Sequence, residues 1–105
     1  MDNFKAIYQI LRYIEESMDY EGFDEEHFTA ETFKISEPRF YNLLKYLLDK
    51  GYITGIKFVS YVGGCDIIIT EPRLTIDGLE YLENNSTMKK VYNILKGIKD
   101  ITPGM

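Results

Sequence analysis

The stretch ISEPRFYNLLKYLLDKGYI, residues 35–53, decides how the rest of the chain is read. Ser36 offers a side-chain oxygen to the free amides of a first helical turn, and Pro38 is tolerated there because those amides have no intrahelical partner. Phe40, Leu43, Leu44, Leu47 and Leu48 recur at three- and four-residue spacing, which makes one side apolar. Gly51 supplies the left-handed residue that stops a helix after Lys50. The pattern predicts a capped amphipathic helix over residues 36–50 running into a strand. At about 100° per residue, the direction opposite the stripe falls on Pro38, Asn42, Lys45 and Asp49, with Arg39 and Tyr46 on one shoulder and Tyr41 on the other.

Just upstream, Thr29 can cap a short helix through Phe33. A short helix, a tight joint and a longer amphipathic helix form the helix-turn-helix pattern. Before that pair, residues 3–18 place Phe4, Ile7, Leu11, Ile14 and Met18 on one stripe widened by Ile10, with Asp2 or Asn3 as N-cap. The intervening EESMDYEGFDEE, residues 15–26, is the most acidic part of the chain and lacks metal-loop spacing; it reads as a solvated helix end and loop.

Beyond Gly51 the period changes. ITGIKFVSYV and CDIIIT are rich in β-branched and aromatic residues and flank Gly63 and Gly64, a pair able to make a two-residue hairpin turn. Ile56, Phe58 and Val62 are expected on one face and Lys57, Val59 and Tyr61 on the other. RLTIDGLEYLENN then starts a helix capped by Thr75, with Leu74, Leu79 and Leu82 inward; Gly78 inside it costs about 1 kcal/mol against Ala, which a close backbone approach would explain. STMKKVYNILKGIKDI predicts a last helix with Met88, Val91, Leu95 and Ile98 as its stripe and Lys89, Lys90, Lys96 and Lys99 on its polar surface. The order α-α-α-β-β-α-α is that of a winged helix-turn-helix: an α+β fold in a single domain over residues 1–105, fraying at 101–105.

A chain of 105 residues can bury a core without metal or disulfide help. No apolar run approaches the ~20 residues of a membrane span, the start lacks a signal-peptide pattern, and the single cysteine, Cys65, excludes an internal disulfide. These features predict a cytoplasmic protein with no membrane partner. The net charge of −5 weighs against nucleic acid, yet it is uneven. Residues 1–33 carry −7, residues 34–63 carry +3 and residues 64–105 carry −1, so the positive third holds the central helix and the hairpin's first strand.

Catalysis has little to work with. His27 and Cys65 are the only members of their types and nothing local pairs them. Neither a zinc-type ligand cluster nor a glycine-rich phosphate loop is present, so no enzyme activity, metal or cofactor is expected. Two binding readings stay open. In the first, a transcriptional regulator binds double-stranded DNA: Arg39 and Asn42 read bases, Lys45, Tyr46 and Lys57 hold phosphate, and Ser60 and Tyr61 add contacts from the hairpin. In the second, nine tyrosines and an apolar CDIIIT edge serve a protein partner without DNA. A homodimer would suit either reading.

DKGYITGI, LTIDGLEYLENN and KKVYNILKGIKDI together resemble the YjcQ family, small proteins of bacteria and their phages or prophages. The similarity runs over about residues 35–101, the first helix matching in pattern only; LT-x-x-G-x-x-Y-L is shared by many winged-helix proteins, and Asn-Asn-Ser-Thr at 84–87 and Ile-Lys-Asp at 98–100 narrow it. The resemblance implies a winged-helix fold and a bacterial or phage setting. It implies no activity and no functional residues. The chain departs from the family outline in its longer acidic segment and its Pro-Gly-Met tail.

Overall fold

Ser36 and Gly51 bracket the central helix as their positions predict. The computed structural model describes residues 3–85, so the expected helix and tail over 86–105 lie outside the described residues. Within them the order is α1 (Asn3–Ser17), α2 (Glu37–Asp49), β1 (Ile53–Tyr61), β2 (Gly64–Leu74) and α3 (Ile76–Asn84). This is an α+β arrangement of three helices and one antiparallel hairpin.

The expected short helix over residues 29–33 is a single turn. Thr29 Oγ1 accepts from the Thr32 amide at 3.3 Å, as an N-cap does, but the chain closes immediately. Lys34 N–H donates to Glu31 and Ile35 N–H to Ala30, with Lys34 left-handed at φ 59°. This crossed pair of bonds is the Schellman stop, made here without glycine. The same stop recurs after α2, where Gly51 (φ 76°) donates to Leu48 and Tyr52 to Leu47.

Five aromatic rings hold the turn in place. Tyr13 of α1, Phe23, Phe28, Phe33 and Phe40 of α2 meet with centroids 5.1–5.9 Å apart, mostly edge-on. The Tyr13 hydroxyl donates to the Asp24 carbonyl at 2.8 Å and ties the acidic loop to α1.

Helix α1 is enveloped more widely than its predicted stripe. Ala6, Tyr8, Ile10, Leu11 and Ile14 are buried, whereas Phe4 and Met18 are exposed. Phe4 lies in the first turn of α1 and Met18 just past its last residue, at the two ends of the helix. The deepest core joins Ile10, Leu11 and Ile14 to Leu44 of α2 and Ile53 of β1.

The hairpin turns at Val62 and Gly63 rather than at Gly63 and Gly64. Tyr61 pairs with Gly64 across the ladder, and among the two turn residues only Gly63 has positive φ. Val62 therefore stands fully exposed at the tip and does not join the face of Ile56 and Phe58. That face does carry the cross-strand pairs Ile56–Ile69 and Phe58–Ile67, packed toward the core. Lower down the register slips: Gly55 opposes residues 70–72, and Pro72 sits in this irregularity, a position where a residue without an amide hydrogen is tolerated.

Thr75 locks the hairpin's end to the end of α2. Its hydroxyl accepts from Gly78 N–H at 3.1 Å and donates to the Gly51 carbonyl, while its amide donates to Tyr52 O at 3.0 Å. A Cβ on Gly78 would lie 2.3 Å from that same Tyr52 oxygen. The glycine inside α3 is thus explained by a close backbone approach.

Candidate nucleic-acid interface

Helix α2 buries Phe40, Leu43, Leu44 and Leu47, so its remaining side must face outward. All seven residues expected to meet nucleic acid are exposed: Arg39, Asn42, Lys45 and Tyr46 on α2, and Lys57, Ser60 and Tyr61 on β1. They fall into two groups. Arg39, Asn42 and Tyr46 line a shallow depression with Asn3, Ser36, Pro38 and Leu43, and among the described residues no carboxylate lines it. The Arg39 guanidinium donates to Asn3 Oδ1, so the start of α1 orients it, and its backbone amide donates to the capping Ser36 Oγ at 3.2 Å.

Lys45 belongs to the second group. Its ammonium stands 5.9 Å from the Phe58 ring centroid, a cation–π approach that links α2 to β1. Lys57 points to the opposite, outward side of β1 across from Ile68, and Ser60 and Tyr61 sit near the tip. Among the described residues Arg39, Lys45 and Lys57 enter no ion pair, although Glu37 and Asp49 stand at the two ends of α2.

Asn3 and Phe58 were not singled out by the sequence as site residues. Nothing in local spacing brings residue 3 to residue 39. A second grouping the spacing hid is Asp24, Glu26 and His27, whose ligand atoms all lie within 4.8 Å of one another. All three are exposed, and His27 Nδ1 meets Asp24 Oδ2 at 2.8 Å, so the arrangement is that of a solvated turn with an internal ion pair. Cys65 is exposed opposite Ser60, far along the chain from His27 and in no hydrogen bond with it.

The family model described as YjcQ protein matches residues 8–101, nearly the whole chain. The chain belongs to the YjcQ family. The match starts in α1, further toward the N-terminus than the similarity read over residues 35–101. Comparison with the curated proteins and with the solved structures gives no match. Among the described residues of this YjcQ protein, no helix is long and apolar enough to cross a membrane.

Proposed function

We propose that this YjcQ-family chain is a non-catalytic DNA-binding regulator with a winged helix-turn-helix fold, working in the cytoplasm of a bacterium or from a prophage. The 28–35 turn and α2 form the helix-turn-helix, α2 enters the major groove and the hairpin is the wing. One observation carries this reading: in an acidic chain, α2 exposes Arg39, Asn42, Lys45 and Tyr46, and among the described residues neither cation enters an ion pair. Arg39 and Asn42 have the donor and acceptor geometry for guanine and adenine edges, and Lys45, Tyr46 and Lys57 suit phosphate. Ser60 and Tyr61 extend the contact along the wing. A homodimer would place two such helices on successive half-sites.

The test is duplex binding by fluorescence anisotropy, after selection from a random pool at low salt. Arg39→Ala is expected to cost about 1–3 kcal/mol and relax preference at one base position. Lys45→Ala should weaken all sequences alike and lower the salt slope by about 1. The reading fails if no duplex binds at low salt, or if both variants match the parent. The exposed Val59, Tyr61, Val62 and Ile68 on the hairpin favour the alternative, a protein-interaction module without DNA binding. A stoichiometric protein partner protecting these residues from hydrogen exchange would select it.

A further inference from the structure

We infer that the cleft between the 28–31 turn, α2 and β2 is a binding site for a small organic cation with an apolar body. The cleft encloses about 500 Å³, within the usual range for a small-molecule site. Its floor is apolar: Phe40 is buried, and Ile67 and Ile69 are half-buried on the inward side of the hairpin. Its walls carry Glu31, Glu37 and Asp66, and among the described residues no lysine or arginine lines it. Among the described residues none of these three carboxylates enters an ion pair. The charge is therefore available to an incoming cation.

Tyr41 lines the same cleft and gives it an aromatic wall, set edge-on against Phe58 with centroids 6.4 Å apart. An ammonium or quaternary nitrogen over that ring would gain cation–π attraction beside the carboxylates. Desolvation first, and then the negative charges of Glu37 and Asp66, hold the Tyr41 hydroxyl above its ordinary value, as expected where both walls converge on one ring. Anions are repelled by the same three carboxylates, and a neutral apolar molecule leaves them unanswered. The cleft lies between α2 and the hairpin, so an occupant would bridge the two elements. Its binding does not require that the protein bind DNA.

The test is isothermal titration of the full chain with benzyltrimethylammonium chloride, beside benzyl alcohol and phenylacetate. The cation should bind saturably, benzyl alcohol several-fold more weakly and phenylacetate not at all. Glu37→Gln and Asp66→Asn should each weaken the cation about twofold to fivefold, the range of an exposed ion pair. Glu80→Gln on α3 should leave it unchanged, and thermal melts report that each variant is folded. Amide shifts in an NMR titration should centre on Tyr41 and Ile67. The inference is overturned if the cation does not bind, if all three probes bind alike, or if a folded Glu37→Gln/Asp66→Asn variant binds as the parent does. Binding of a lysine-containing apolar peptide, with none of the small cation, would also overturn it, in favour of a peptide groove.

Discussion

Lys34 occupies a position that normally belongs to glycine, at φ 59° in the stop before α2. A left-handed non-glycine residue costs roughly 1–2 kcal/mol, part of which glycine gives back as extra freedom in the unfolded chain. Lys34→Gly is therefore expected to stabilise the fold by about 0.5–1 kcal/mol, read as a higher urea midpoint at unchanged slope. His27 offers a second residue-level test. Its hydrogen bond to Asp24, and then the Asp24 charge, raise its pKa above 6.5, while the same hydrogen bond lowers Asp24 below 3.8. The His27 contribution is complete below pH 6.5 and is lost as pH rises through the raised value; the Asp24 contribution is complete above pH 3.8 and is lost as pH falls through the lowered one. The pair thus acts fully between these two ordinary values. An NMR titration should find the His27 midpoint above 6.5, and Asp24→Asn should bring it back down.

Elements were legible where their signals are local. Ser36, Gly51, Thr75 and the leucine stripe of α2 specify caps and faces within one or two turns of themselves, and the structure uses each of them so. The single turn at 29–35 was less legible, because Thr29 caps a helix and a Schellman stop at Lys34 leaves no glycine to announce it. The aromatic cluster was hidden for another reason: Tyr13, Phe23, Phe28, Phe33 and Phe40 share no helical or strand period, and only the fold brings them together. Gly78 was legible as a close approach, and its neighbour, the Tyr52 carbonyl, came from the structure. Gly78→Ala should gain about 1 kcal/mol from helix propensity, yet a Cβ 2.3 Å from backbone oxygen forces α3 away from the α2–β1 joint. The net is expected to be destabilising by about 2 kcal/mol or more, visible as a lower Tm, whereas Glu80→Ala on the exposed side of the same helix should change little.

At the scale of the molecule the charge is divided. Residues 1–33 carry −7 beside a segment of +3 that holds α2 and β1. If α2 meets DNA, the acidic part opposes the approach over the Debye length of about 8 Å at physiological salt. Glu21→Gln, Glu25→Gln and Glu26→Gln together should raise the association rate about threefold or more at low salt and converge with the parent as salt is added. Stopped-flow anisotropy at several salt concentrations would show it. The outward placement of the α2 residues and of Lys57 and Tyr61 was legible from periodicity, but their division was not: Asn3 gathers Arg39 to one end of α2, and Phe58 draws Lys45 to the hairpin.

The Asn3–Arg39 bond has a practical corollary. An affinity tag fused ahead of α1 would hang beside the guanidinium proposed to read a base, and a polyhistidine or acidic leader there could compete for it. Binding titrations made with such a handle would measure its interference as well as the protein, so it should be cleaved, or moved to the other terminus, before any negative result is accepted.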